Sequence, residues 1–208
     1  MPFDLSLEEG KFLVKLARKA VEEHLKSRRT IAAPSDIPEK LLQPCGVFVT
    51  INSIRNDEKE LRGCIGYPYP TIPLAQAVIE SAISSATQDP RFPPLSLKEL
   101  SRVVFEISVL TPPQRIEVKK PSDYKSKIKI GEDGLIVERG VFKGLLLPQV
   151  PAEWEWDEEE FLCQCCMKAG LPPDNWLLDG TKIYEFHAII FEEEKPEGEI
   201  KRKTLSAK

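Results

Sequence analysis

Helical and alternating stretches of apolar residues follow one another along this chain, punctuated by proline and glycine. Ser6-Leu7-Glu8-Glu9 has the form of a capping box, and Phe12, Leu13, Leu16, Ala17, Ala20, Val21 and Leu25 recur behind it at helical spacing, which predicts a first helix. After a loop over residues 34–44, the β-branched run 46–51 and a charged turn over 55–60 lead into Leu61-Arg62-Gly63-Cys64-Ile65-Gly66, predicting an antiparallel hairpin. Pro73, tolerated in a first helical turn, precedes a stripe of Leu74, Val78, Ile79, Ala82, Ile83 and Ala86, a second helix ending near Gln88. A strand is expected over residues 103–110, stopped by Thr111-Pro112-Pro113. Further strands are expected at 128–130, 135–138 and 144–147, with turns at 131–134 and at Arg139-Gly140. Asp157-Glu158-Glu159-Glu160 opens another helix, which Gly170 and Pro172-Pro173 end, and residues 182–191 read as one long closing strand.

Consecutive strands joined by short turns must be antiparallel neighbours, so the predicted class is α+β, a mostly antiparallel sheet with flanking helices. Residues 1–195 are expected to form a single domain, and residues 196–208, charged and containing Pro196 and Gly198, a flexible tail.

The hexamer 61–66 carries the densest chemistry. On a regular strand Arg62 and Cys64 project from one face, and Leu61, Gly63 and Ile65 from the other. A cation beside sulfur favours the thiolate, which makes Cys64 a candidate nucleophile or soft ligand. Gly63 and Gly66 lack a Cβ, so a ligand or another backbone can approach closely. The competing reading is a packed cysteine in a strand with a bulge.

Composition narrows the function classes. Of 208 residues 41% are hydrophobic, enough for a sizeable core without staples. The 29 basic and 33 acidic residues give a net charge of −4, which argues against a general nucleic-acid binder. Five cysteines in no framework spacing, with no signal-like start, point to a reduced, cytoplasmic protein, and no apolar run approaches bilayer length.

Three other clusters offer polar groups. Asp89-Pro90-Arg91-Phe92-Pro93-Pro94 fixes two opposite charges and a ring on a stiff backbone just past a helix C-terminus, where Asp89 calls for a cation such as Arg91 or Arg62. The segment 147–154 places Gln149 and Glu153 among prolines, with Trp154 and Trp156 beside them; the alternative is a connection that covers core. His187 shares a face with Glu185 on the expected closing strand, as a candidate base for Cys64 against a purely structural role. Cys163, Cys165 and Cys166 have poor geometry for one metal and read as core residues; no metal site is expected.

Taken together, the hexamer, Asp89-Pro90-Arg91-Phe92-Pro93-Pro94, Ile107-Ser108-Val109-Leu110-Thr111-Pro112, and Leu145-Leu146-Leu147-Pro148-Gln149-Val150-Pro151 with Glu153 and Trp156 resemble the AMMECR domain family, over about residues 8–195. The resemblance implies a larger and a smaller subdomain with a cleft between them that holds the hexamer. It implies no settled activity or cofactor, and as partners, by association, Memo-like and radical-SAM proteins.

The leading expectation is a ligand-binding or catalytic cleft. Cys64 acts there as nucleophile, Arg62 and Arg91 hold a small anionic ligand, and Asp89 orients them. Gln149 supplies a polar contact, and Glu153 or His187 accepts a proton. The rivals are a noncatalytic adaptor presenting prolines and tryptophans to a partner, and RNA binding or modification, for which only the basic end of the chain speaks.

Overall fold

The structure, a computed structural model, describes residues 3–56 and 58–203. It has two compact units, one made of the chain up to Leu110 together with Ile189–Lys203, the other of Thr111–Ala188.

In the first unit helix α1 (Leu7–Ser27) starts at the expected box: the Ser6 hydroxyl accepts from Glu9 N, and the Glu9 carboxylate accepts from Ser6 N. Strands β1 (Gly46–Arg55) and β2 (Glu58–Tyr67) form the expected hairpin; Asp57, within the predicted turn, lies outside the described residues. Helix α2 (Leu74–Thr87) and strand β3 (Val103–Leu110) follow. With β8 (Ala188–Glu193) and β9 (Ile200–Lys203), described below, they complete a five-stranded sheet in the order β2-β1-β3-β8-β9. Alternate residues Val47, Val49 and Ile51 of β1 and Val103, Phe105, Ile107 and Val109 of β3 join Leu13, Val14, Ala17, Val78 and Ala82 of the helices in one core. Period-two alternation therefore sends Thr50 and Glu106 to the opposite face of the sheet.

In the second unit strand β4 (Gln114–Arg115), β5 (Gly134–Arg139), β6 (Phe142–Leu146) and β7 (Lys182–Phe186) make a sheet in the order β4-β7-β5-β6. Helix α3 (Gln149–Glu153) and helix α4 (Glu158–Lys168), capped by Asp157, complete it. Phe161, Leu162, Cys165 and Cys166 of α4 pack with Leu135, Val137, Trp176 and Ile183, so these two cysteines are core residues. Desolvation pushes the Cys165 thiol up to about 12 and the Cys166 thiol up to about 11.

Several expectations need correction. Residues 128–130 form no strand: Asp133 accepts from Lys129 N at 2.8 Å and donates its own N–H to Lys129 O, which closes a turn there. The expected closing strand is two strands in different sheets, broken at His187, whose backbone exchanges bonds with Thr111 instead of a ladder partner. The flexible tail is also revised: residues 200–203 are β9, paired with β8 from Ile190↔Lys203 to Glu193↔Ile200, because Ile200 buries its side chain and ends a tight turn. Residues 204–208 lie outside the described residues. Among the described residues no helix is long and apolar enough to cross a membrane.

Candidate functional site

Cys64 sits on β2, an edge strand. Its N–H donates to Asp89 Oδ2 at 2.8 Å, and its carbonyl accepts from Arg91 Nη2 at 3.3 Å. Asp89 in turn accepts from Arg91 Nε at 2.9 Å, Nη2 at 2.7 Å and N at 3.1 Å. The two side chains thus stand where the backbone of a sixth strand would stand, closing the edge and fixing the peptide that carries the thiol. The rigid proline-flanked loop makes this possible, and Arg91 is the compensating cation that Asp89 needs past α2.

The Arg91 guanidinium, with the two backbone donors, holds the Asp89 carboxyl far below the usual carboxylate range in spite of its burial. A depressed folded-state value contributes stability that is present above the unfolded value, near 4, and is lost as pH falls through the folded one. Asp89→Asn is expected to cost about 2 kcal/mol at neutral pH, because Cys64 N–H and Arg91 lose a charged acceptor. Urea denaturation should show that difference shrinking steadily as the pH is lowered from about 4; a gap that does not change with pH would rule out the ionic part.

A bulge interrupts the alternation expected for the hexamer. Ile51 pairs with Gly63 but Asn52 with Leu61, so Arg62 is the extra residue. Its guanidinium pairs with Glu99 at 3.1 Å, with 13% of the side chain exposed, and stands 5.9 Å from the centroid of the Phe92 ring. Arg91 stands 5.5 Å from the same ring. Both arginines therefore already have carboxylate partners, and the cation that acts on the thiol is Arg91 rather than Arg62.

The glycines serve close approach by backbone. A Cβ on Gly63 would lie 2.2 Å from the Ser85 carbonyl oxygen of α2, and one on Gly66 would lie 2.1 Å from Val47 O. Contact at Gly63 lets the Ser85 hydroxyl enter the sheet, donating to Val49 O at 2.7 Å and accepting from Ile65 N at 2.8 Å.

The half-buried thiol points to the face opposite the helices. Thr50, directly opposite on β1, donates its hydroxyl to Sγ at 3.2 Å. Glu106 on β3 is the next residue in the same cross-strand row. Burial pushes the Cys64 thiol up from its ordinary value, against the pull of Thr50 and Arg91, and Glu106 and Asp89 add to the rise. The direction is opposite to the lowering expected from a neighbouring cation, because burial outweighs Arg91. Sequence reasoning missed Thr50, Glu106, Ser85 and Glu99. A signal for Glu106 existed, since it is the lone charged residue in the mostly apolar run Val103–Leu110.

Gln149, Glu153 and His187 belong to the second unit. Gln149 opens α3 with its Oε1 buried and without a partner among the described residues, and Glu153 ends that helix, exposed. Trp154 is 68% exposed, and its ring stacks on Trp156 at 6.2 Å. His187 Nε2 lies 2.9 Å from Asp133 Oδ1, so its carboxylate partner is Asp133 and not the anticipated Glu185. Among the described residues no group of His, Cys, Asp and Glu has metal-binding geometry.

A family model described as AMMECR1 matches residues 14–191. The chain belongs to the AMMECR1 family. Protein PH0010 of Pyrococcus horikoshii is 56% identical over 206 residues, covering 99% of this chain and all of that protein. Protein MJ0810 of Methanocaldococcus jannaschii is 52% identical over 201 residues, covering 97% and 98%. The crystal structure of PH0010, titled as uncharacterized, superposes with a TM-score of 0.85 over 98% of this chain and 100% of that one. The printed names of these archaeal relatives carry no reaction.

Proposed function

We propose that this AMMECR1 protein is an enzyme that acts through Cys64, capturing an electrophilic carbon of a small ligand in a covalent, acyl-transfer type of step. One observation carries the reading. The peptide of Cys64 is held by the charged fork of buried Asp89 and half-exposed Arg91 and its sulfur is reached by a hydroxyl at 3.2 Å, while the thiol itself stays only half buried. Packing a small side chain needs no such apparatus; holding a nucleophile in one geometry does. Arg91, with 53% of its side chain exposed, offers attraction to an anionic substituent of the ligand.

Alkylation by iodoacetamide, read by mass spectrometry across pH, tests the proposal. Cys64 is expected to react in the folded protein with an apparent pKa above about 8.5, ahead of Cys45, Cys165 and Cys166. Asp89→Asn is expected to slow it several-fold by loosening the strand. Modification of Cys64 only on unfolding, or a rate indifferent to Asp89, would defeat the reading.

A further inference from the structure

The end of α3 folds two tryptophans of the second unit together. Trp154 caps the helix, its N–H donating to Val150 O at 3.1 Å, and the Trp156 N–H reaches back to Pro151 O at 2.9 Å. That closure sets Glu155 at φ +54, a left-handed position that glycine occupies without strain and that an L side chain enters only at a cost. Trp156 leans on the core of the unit, while Trp154, stacked on it, keeps 68% of its surface in water. Beside Trp156 lies an open cavity of about 420 Å³ lined by Glu155, Asp157, Glu159, Glu160 and Cys163. Residues 153–160 hold six carboxylates and no basic residue. Glu159 is bonded to Lys125 at 2.7 Å and Asp157 caps α4, but Glu153, Glu155 and Glu158 make no ion pair among the described residues.

We infer that this patch docks a basic segment of a partner protein, with an arginine side chain stacked on Trp154 and its charge matched by Glu153 and Glu155. The inference is independent of the Cys64 reading. The tryptophans carry it, and the carboxylates select the occupant. A large ring left in water against a second ring is the residue type that anchors protein interfaces. An apolar partner would strip water from the flanking carboxylates without giving them a counter-charge, and a nucleic-acid backbone would meet like charge. A guanidinium answers both features, because it stacks on an indole face and donates in its own plane to carboxylates. A metal ion does not, since among the described residues no group of His, Cys, Asp and Glu has metal-binding geometry. Glu155 serves the same end: glycine would close α3 with less strain, and a carboxylate stands there instead, between the two tryptophans in the chain.

Titration of the full chain with a glycine-spaced arginine peptide, read by NMR on the indole N–H signals, tests this. The signals of Trp154 and Trp156 are expected to shift saturably, and that of Trp176, 3% exposed in the core, to stay in place. Trp154→Ala, read on Trp156, should weaken binding about tenfold. Glu155→Gly should weaken it about threefold while raising the urea midpoint, so the loss of binding cannot come from loss of fold. The same peptide with lysine in place of arginine should bind several-fold less tightly, because an ammonium group does not stack as a guanidinium does. Equal affinity of wild type and Trp154→Ala would overturn the inference, since net charge alone would then hold the peptide. No saturable shift at all would overturn it too, as would spermine saturating the same signals at a lower concentration than the peptide, which would make the occupant a free polyamine.

Discussion

Glu193→Ala is expected to destabilise the protein by about 4 kcal/mol, seen as a large drop in the urea midpoint. Glu193 is 2% exposed. Its carboxylate accepts from Arg18 Nε at 2.8 Å, from Arg18 Nη2 at 2.5 Å and from Phe105 N at 3.0 Å. Arg18 also donates to Leu100 O and Val103 O, which ties α1 to the start of β3 and the end of β8. Removing the carboxylate leaves a guanidinium buried without its counter-charge and an N–H of the sheet without an acceptor; desolvation, and not the lost attraction, dominates the cost. Glu22→Ala, which breaks the exposed pair with Lys26, serves as the control and should cost less than about 0.5 kcal/mol. A comparable loss in the two variants would refute the argument.

Gly63→Ala should be almost as damaging, at about 3 kcal/mol, although it adds only one methyl group. The new carbon would meet the Ser85 carbonyl at 2.2 Å, and that oxygen belongs to a helix backbone that cannot swing aside as a flexible side chain would. If α2 lifts, the Ser85 hydroxyl leaves Val49 O and Ile65 N, so the clash is relieved only by breaking bonds next to Cys64. Gly140→Ala provides the contrast. Gly140 has φ +60 with open space around its Cβ position, so its replacement pays only the left-handed backbone strain of about 1–2 kcal/mol. Thermal unfolding of the two variants should rank them in this order; equal losses would show that α2 gives way easily.

The Gly63 result bears on how the hexamer is understood. Its glycines invited a reading in terms of a ligand approaching the strand, and their use is the approach of α2 and β1 themselves. Asp89-Pro90-Arg91-Phe92-Pro93-Pro94 was legible as a rigid charged loop, and the partner of Asp89 was readable because a carboxylate beyond a helix C-terminus needs a cation. Its destination, the peptide of Cys64, was not readable, since 25 residues separate the two and nothing local specifies the docking.

Helix α1, the β1–β2 hairpin, helix α2 and strand β3 could be written down from periodicity, caps and proline stops, because each is decided by neighbours within a turn or a strand. The break at His187, the bulge at Arg62, the pairing of β9 and the row of Cys64, Thr50 and Glu106 belong to the tertiary structure. Each depends on which strand lies beside which, and that is settled by burial of whole faces and by backbone partners far apart in the chain. The amino-acid sequence by itself therefore determined where the candidate nucleophile lies, in the hexamer that β2 carries. The fold alone decided what surrounds it, half burying the thiol, setting Thr50 opposite it and placing Glu106, some 40 residues on in the chain, one strand further along the same row.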